Sequence, residues 1–240
     1  KYLLIIGQGS IAKKHLIVLK KINKEIKVFF VKTKNKFKAE KLMNSLIAKY
    51  DLKLALICSP ADTHLNYINF FKKKKINYLV EKPLIKDNQL NKLNIKKYKK
   101  TKITELVGYQ LRFNKILLRI KKILSAKKIG KINNVKIFVN SFLPNWRKEN
   151  YKKSLSLSKE KGGGVLLELS HEIDYMIWLL GKPEYLYAII DKNNLFKKNL
   201  DEKVCIFFYY KNKSIQLDMS LNSRIEKRGI IINGSNGAIE

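Results

Sequence analysis

Hydrophobic positions in the first half of the chain form short continuous runs, and segments with helical spacing separate them. The runs predict buried strands, which lie at residues 2–6, 26–31, 54–58, 76–80 and 103–109. The intervening segments predict helices over residues 11–19, 34–46 and 63–73, the second with Phe37, Leu42 and Leu46 facing inward. Strands that alternate with helices are typical of a doubly wound parallel sheet, so we predict a Rossmann domain over residues 1–112.

The pattern changes after Phe113. It predicts a helix over residues 115–124, a strand over 132–142, a polar loop over 144–164 and a helix over 170–180 with Ser170 as its N-cap. Alternating segments at 185–190, 204–210, 215–221 and 229–232 then predict antiparallel strands. The sequence therefore predicts an α/β protein whose second domain, residues 113–240, is α+β with a large, mostly antiparallel sheet. Because the chain stops abruptly at residues 234–240, with no terminal helix or tail, we expect this domain to be truncated at its C-terminus.

A glycine-rich turn joins the first predicted strand to the first helix. Gly7 permits a tight turn, Gly9 lets the backbone approach a pyrophosphate, and Ala12 replaces the third glycine where the helix meets the strand. The first helical residues, Ser10 and Ile11, present free N–H groups to such an anion. A GxGxxA pattern alone also fits an ordinary glycine turn, but its place between a strand and a helix favours a dinucleotide site.

The residues after the second predicted strand affect the choice between NAD and NADP. NAD sites usually place an acid there, which binds the ribose 2′-hydroxyl, whereas this chain has Lys32, Thr33 and Lys34. These side chains suit a 2′-phosphate. We therefore predict NAD or NADP as the cofactor, with only a slight preference for NADP because lysine is abundant throughout the chain.

Two further segments follow predicted strands at the carboxyl edge of the sheet, where ligands bind in such folds. Ser59 and Pro60 are placed to form a wall against the cofactor, and His64 fits either a catalytic role or, as we prefer, a structural one. The Glu-Lys-Pro segment at residues 81–83 places Lys82 in the same crevice, and its proline permits a cis peptide bond. A lysine buried beside a cofactor can shift its pKa and exchange a proton.

A triple glycine at residues 162–164 precedes the last candidate group. His171 and Asp174 are three residues apart on a predicted helix and therefore share a face. His171 can act as a general acid or base, and Asp174 can orient its imidazole. Ordinary polar residues at a helix N-terminus would give the same pattern.

Five segments occur in an order that resembles the Gfo/Idh/MocA family, the relatives of glucose–fructose oxidoreductase and inositol dehydrogenase. They are residues 7–12, 58–64, 81–84, 108–114 and 162–174, and Glu-Lys-Pro is the most specific of them. The resemblance extends from residue 2 to residue 240. Residues 142–158 are also similar to a branch found with surface-polysaccharide or nucleotide-sugar pathways.

The resemblance implies that the first domain binds NAD(P), with Glu81 and Gln110 among the candidate cofactor contacts. Lys82 and His171 match the family's catalytic lysine and histidine, and Asp174 matches the acid one turn later.

One position departs from the family pattern. Many members place an aspartate four residues before the histidine, and this chain has Leu167 there. Glu168 lies three residues before the histidine. Either Glu168 takes over the role of the aspartate after a local shift, or this chain lacks that acid.

The activity implied is a hydride transfer between nicotinamide and a carbinol or carbonyl carbon of a sugar, cyclitol or nucleotide sugar, while Lys82 and His171 move the hydroxyl proton. Two alternatives stay open: redox-neutral elimination or glycoside cleavage with tightly bound NAD(P), and a dinucleotide sensor without turnover. The resemblance also implies a homo-oligomer formed through the sheet of the second domain.

Composition argues against several other classes of protein. The net charge is +32, but the 51 lysines and arginines are spread along the chain instead of forming a patch, so we expect no specific nucleic-acid binding. Two cysteines and three histidines without metal-binding spacing predict reduced thiols and no metal site. No apolar run approaches the roughly 20 residues of a membrane span. No signal-peptide pattern opens the chain, and we predict a cytoplasmic protein.

Overall fold

The structure is a computed structural model that describes residues 1–32, 34–86, 89, 91, 102–146, 151–191, 195–196 and 199–240. These residues form two compact units, Lys1–Gly108 and Tyr109–Glu240, which we call the N-terminal and C-terminal units. No helix among the described residues has the length and apolar character needed to cross a membrane.

The N-terminal unit is built on a parallel sheet. Its elements are β1 (Tyr2–Ile6), α1 (Ser10–Ile22), β2 (Lys27–Val31), α2 (Lys36–Lys49), β3 (Leu52–Ile57), α3 (Ala61–Lys73), β4 (Asn77–Val80) and β5 (Glu105–Val107). The strand order is β2-β1-β3-β4-β5, and every pair is parallel. This is the doubly wound arrangement that the sequence predicts, and its topological switch point lies at β1, which has β2 on one side and β3 on the other.

Alternate residues of these strands enter two separate cores. Leu4 and Ile6 pack in one cluster with residues of α2 and α3, whereas Ile5 packs with Ala12 of α1 in another. Successive side chains of a strand point to opposite faces. The continuous apolar runs of the sequence are therefore explained by a sheet that is covered on both faces.

The buried face of α2 differs from the predicted one. Ala39 and Met43 are the buried residues of this helix, while Phe37 is 77% exposed and Leu42 is also exposed. At about 100° per residue, Ala39 and Met43 lie on one side, and Phe37 lies roughly 200° from Ala39. The prediction was wrong for Phe37 and Leu42 because the face through Ala39 and Met43 packs on the sheet and leaves both side chains exposed. Leu46 is partly buried.

The C-terminal unit is built on a mixed sheet. After a 3-10 turn at Gln110–Phe113 its elements are α4 (Lys115–Ser125), β6 (Ile132–Phe142), α5 (Leu143–Trp146), α6 (Val165–Glu168), α7 (Ser170–Leu180), β7 (Tyr185–Asp191), β8 (Lys203–Tyr210), β9 (Lys213–Ser220), β10 (Asn222–Gly234) and β11 (Gly237–Ile239). The strand order is β11-β10-β6-β9-β8-β7. Of the described pairs, β6–β9 is parallel and the others are antiparallel, which confirms the predicted fold class.

This sheet has one covered face and one open face. Val135, Ile137 and Val139 of β6 pack in a single core with Met176 of α7. On the opposite face, four exposed rings form what we call the aromatic patch, which comprises Tyr185, Tyr187, Phe207 and Tyr209. The rings of Tyr185 and Tyr209 lie 5.7 Å apart between centroids.

The segment predicted as a polar loop over residues 144–164 contains short helical pieces. Besides α5, 3-10 turns occupy Tyr151–Lys153, Leu155–Leu157 and Lys159–Lys161. Two of its final glycines are required by the packing. A Cβ on Gly163 would lie 2.4 Å from the carbonyl oxygen of Ser156, and Gly164 has a φ of +106°.

Ser170 does not cap α7, so this prediction was wrong. Leu169 occupies the N-cap position, and Ser170 is the first helical residue. The Ser170 hydroxyl donates to the carbonyl oxygen of Leu167 at 3.0 Å. The reason is that α6 ends at Glu168, so only Leu169 separates the two helices and the Ser170 side chain folds back onto α6.

Candidate cofactor and substrate site

The glycine turn lies at the switch point of the parallel sheet. Gly7 has a φ of +104°, and a Cβ there would lie 2.8 Å from the carbonyl oxygen of Cys58 on the neighbouring strand. Only glycine meets both conditions without strain. A Cβ on Gly9 would meet nothing within 4 Å, so the protein itself leaves space at that position.

The first turn of α1 faces this space. Gly9 is the N-cap, and no side chain caps the helix. The free N–H groups of a helix N-terminus attract anions such as a pyrophosphate. The residues present, including Ser10 and Ile11, therefore fit the cofactor that the sequence predicts, since Gly9 leaves open the volume that a larger residue would fill.

The residues proposed for the ribose end follow β2 at the same edge. Lys32 and Lys34 are exposed, and Thr33 lies outside the described residues. Val31 pairs with Ile6, the last residue of β1, so Lys32 leaves the sheet beside the glycine turn.

Ser59, Pro60 and His64 follow β3. Pro60 is the N-cap of α3, and Ser59 is buried and accepts a hydrogen bond from the Thr63 hydroxyl at 2.7 Å. The His64 ring is buried: its Nε2 lies 2.7 Å from the carbonyl oxygen of Ser59, and its Nδ1 lies 2.9 Å from that of Pro83. Burial lowers the pKa of His64, against the opposing effect of these carbonyl contacts. His64 thus contacts both the loop after β3, at Ser59, and the loop after β4, at Pro83. These contacts fit the structural role better than the catalytic one.

Glu81 forms an ion pair within the N-terminal unit. Its carboxylate lies 2.6 Å from Nε2 of His15 on α1, and both side chains are largely buried. A Cβ on Gly108 would lie 3.2 Å from the same carboxylate, so that glycine allows close approach. Burial and the charge of Glu81 raise the pKa of Cys58 to about 12, so the thiol stays protonated at neutral pH.

Lys82 is therefore held between two histidine contacts. Glu81, which precedes Lys82, contacts His15 of α1. Pro83, which follows Lys82, contacts His64 of α3. Lys82 is half-buried, follows β4 at the carboxyl edge, and its peptide bond to Pro83 is cis. The N-terminal unit thus brings the glycine turn, Ser59 and Lys82 to one edge of the sheet.

His171 lies in the first turn of α7 and is buried. The ring of Tyr109 meets it edge to face, with 5.6 Å between centroids and an interplanar angle of 80°. Tyr109 also hydrogen-bonds to Ser170, and burial raises the pKa of its hydroxyl. Glu168 is half-buried at the end of α6.

The carboxylate of Asp174 is bound by an arginine that the sequence analysis did not single out. Arg112 of the 3-10 turn donates from Nε to Oδ2 at 2.8 Å and from Nη2 to Oδ1 at 2.5 Å. This hydrogen bonding raises the pKa of Arg112. Gln110, at the start of the same turn, is exposed.

A second ion pair lies one residue after the histidine. Glu172 is fully buried, and its Oε1 lies 2.6 Å from both Nε and Nη2 of Arg228 on β10. Arg228, like Arg112, was not predicted as a site residue from the sequence. The C-terminal unit thus brings His171, Asp174 and two arginines to the N-terminal half of α7, a grouping that no local spacing could reveal. No metal-binding cluster of His, Cys, Asp and Glu occurs in the described ranges.

A parallel sheet with a glycine turn at its switch point, followed by a mixed-sheet unit, defines a dinucleotide-binding class of protein. Residues 1–109 match the oxidoreductase family with an NAD-binding Rossmann fold (GFO/IDH/MocA), and residues 117–240 match the GFO/IDH/MocA C-terminal domain. The chain therefore belongs to the GFO/IDH/MocA oxidoreductase family, as its motifs predict.

Individual relatives are more distant. The chain is 26% identical to inositol 2-dehydrogenase of Rhizobium meliloti (strain 1021) over 141 residues, which is 58% of this chain and 40% of that protein. It spans 40% and 52% of the lengths of the curated relatives that it matches.

Solved structures with the same fold include two complexes with NADH. The WlbA dehydrogenase from Bordetella pertussis, in complex with NADH and UDP-GlcNAcA, has a TM-score of 0.79 at 17% identity, over 99% of this chain and 76% of that one. Levoglucosan dehydrogenase, in complex with NADH and levoglucosan, has a TM-score of 0.80 at 16% identity, over 99% and 72%. At these identities the likeness shows the fold.

Proposed function

We propose that the chain belongs to an NAD(P)-dependent dehydrogenase or reductase that acts on a CH–OH group of a sugar, cyclitol or nucleotide sugar. The observation that carries the proposal is the glycine turn at the switch point, where Gly7 is required by the fold and Gly9 is not. A glycine that no protein contact requires is explained by a ligand that approaches the backbone there. The substrate class is supported by the relative named inositol 2-dehydrogenase and by the two structures in complex with levoglucosan and UDP-GlcNAcA.

The nicotinamide, when bound, supplies the hydride donor or acceptor. Lys82 and His171 bind the reacting oxygen of the substrate and exchange its proton, as bases in oxidation and as acids in reduction. Two contacts fix the residues on both sides of Lys82: His15 binds the side chain of Glu81, and His64 binds the backbone carbonyl of Pro83. Such fixed placement reduces the reorganisation that proton transfer requires.

Lys32 and Lys34 favour NADP over NAD in this proposal. Both are exposed beside the carboxyl end of β2, where an acid would otherwise bind the 2′-hydroxyl of NAD. Comparing the dissociation constants of NADH and NADPH checks the preference.

A second copy of the chain is the proposed occupant of the open sheet face. The aromatic patch exposes four rings on neighbouring strands β7 and β8, and contiguous apolar patches of this kind mark interaction sites. Aromatic residues are enriched in such interfaces.

The substitution Lys82→Ala tests the catalytic assignment. We expect turnover to fall by about 10²- to 10⁴-fold, the usual contribution of a positioned acid or base, while the dissociation constant for NAD(P)H, measured by fluorescence titration, stays unchanged. Lys73→Ala, an exposed lysine at the end of α3, is the matched control. Normal turnover of the Lys82 variant with bound cofactor would overturn the assignment.

A further inference from the structure

Two arginines bind the carboxylates that neighbour His171 on α7. The α-helix turns by about 100° per residue, so Glu172 lies about 100° to one side of His171 and Asp174 about 60° to the other. Arg228 of β10 binds the first carboxylate and Arg112 of the 3-10 turn binds the second. The carboxylates on the two sides of the histidine are therefore each bound by an arginine.

Each guanidinium is fixed by a buried carboxylate without being enclosed itself. The side chain of Glu172 is 0% exposed and that of Asp174 is 9% exposed, whereas the arginine side chains are 48% and 44% exposed. Nε and Nη2 of both arginines face the carboxylates. Among the described residues, neither Nη1 has a hydrogen-bond partner, so each arginine presents N–H donors of fixed direction toward solvent.

The strand that carries Arg228 is bent just before it. Asn222 pairs with Phe142 and Lys227 with Asn140, so five steps along β10 oppose two along β6. Bulges of this kind redirect side chains and are frequent beside binding sites. Arg228 itself pairs with Val139, whose side chain is in the core. Arg228 therefore lies on the covered face of the sheet, at its rim, where it reaches α7.

We infer that Arg112 and Arg228 bind an anionic group of the substrate, so that the substrate is a sugar bearing a carboxylate or a phosphoryl group. This inference rests on the proposed function and specifies its substrate class. Both anions offer oxygens that match the planar guanidinium, and hydrogen bonds to an ionised acceptor are about twice as strong as those to a neutral one. Each arginine is already neutralised by its own carboxylate, so selectivity comes from directed donors at short range.

Binding to the NADH complex of the whole chain tests the inference. Isothermal titration would compare glucose, glucuronate, glucose 6-phosphate and UDP-glucose, which separates a neutral sugar, a carboxylate, a phosphomonoester and a diphosphate. We expect at least one anionic sugar to bind about tenfold more tightly than glucose, as expected for an added charge-assisted hydrogen bond. The sugar that binds most tightly then shows whether the arginines bind a carboxylate or a phosphoryl group.

The substitutions Arg228→Lys and Arg112→Lys keep a positive charge beside each carboxylate but remove the planar guanidinium and its directed N–H donors. We expect each to weaken binding of the preferred anionic sugar about tenfold and that of glucose by less than about twofold. Arg224→Lys, on the same strand but stacked over the ring of Phe142, is the matched control and should leave both unchanged. Thermal unfolding verifies that each variant folds, and the double variant Glu172→Gln/Arg228→Gln replaces Arg228→Lys if that variant does not.

Three results would overturn the inference: glucose binds as tightly as every anionic sugar, the arginine variants weaken all sugars equally, or no anionic sugar binds. The proposed function fails separately. If acidic sugars bind through the arginines but no CH–OH compound reduces NAD(P), the substrate class stands while the dehydrogenase assignment is wrong.

Discussion

The two sheets of the molecule use their faces differently. The parallel sheet of the N-terminal unit is covered by helices on both faces, so its candidate ligand residues lie at an edge, where the strands end. The mixed sheet of the C-terminal unit is covered on one face only, and its other face carries the aromatic patch. A sheet buried on both faces therefore has its edge left for a ligand, whereas a sheet with one open face has a surface left for another protein.

The comparison between the edge of the parallel sheet and the open face of the mixed sheet predicts its largest effect on stability at the glycine turn. Gly7→Ala combines a left-handed backbone with a Cβ only 2.8 Å from a carbonyl oxygen, so we expect it to lower the free energy of unfolding by about 3 kcal/mol. Gly9→Ala meets no protein atom and should change stability by less than about 0.5 kcal/mol.

Gly9→Ala, the variant with the smaller loss of stability, should have the larger direct effect on cofactor binding. A methyl group on Gly9 projects into the space that we assign to the pyrophosphate, so folded Gly9→Ala should bind NADH at least about tenfold more weakly. Urea denaturation and NADH titration measure both quantities. Equal stability of the two variants, or full NADH affinity in Gly9→Ala, would contradict the edge assignment.

A substitution on the open face should alter association and leave the fold intact. Tyr187→Lys places a charge in the aromatic patch. Because Tyr187 is exposed and does not belong to the hydrophobic core, far-UV circular dichroism should be unchanged. A desolvated lysine would oppose docking of a second copy, and we expect sedimentation to show a monomer where the unaltered chain associates. Phe37→Lys, at an exposed aromatic on α2 outside the patch, is the control. A monomeric unaltered chain would refute the proposed interface.

The smallest effect is expected in the pH dependence of the N-terminal unit. Burial lowers the pKa of His64 below its ordinary value of 6.5, so the unfolded chain binds a proton more readily than the folded one. The stabilisation is fully present above pH 6.5 and is lost as the pH falls toward the lowered pKa. His64→Gln should show less loss of stability than the unaltered chain between neutral and mildly acidic pH, as measured by urea unfolding. An identical pH dependence of the two would show that His64 does not contribute.

The sequence was sufficient for features that depend on local pattern. The strands of the first unit were predicted because each run, such as Tyr2–Ile6, is apolar on both of its faces. The glycine turn was predicted because Gly7 and Gly9 have a fixed spacing after a strand.

Features that depend on distant contacts could not be predicted in this way. Arg112 and Arg228 are bound by carboxylates 62 and 56 residues away. In a chain with 51 lysines and arginines, no local spacing pairs either arginine with its carboxylate. Ser170 was assigned as a cap because the short helix before it has too few residues to show a period.

The position of β6 in its sheet has a consequence for the order of folding. This strand, complete at Phe142, lies between β9 and β10, which begin at Lys213 and Asn222. Such long-range pairing slows folding. On the ribosome, the five parallel strands of the N-terminal unit are all synthesised before β6 emerges, whereas β6 must wait for about 70 more residues before it gains its first neighbour in the sheet. The dinucleotide fold can thus form co-translationally while the sheet of the second unit is still incomplete.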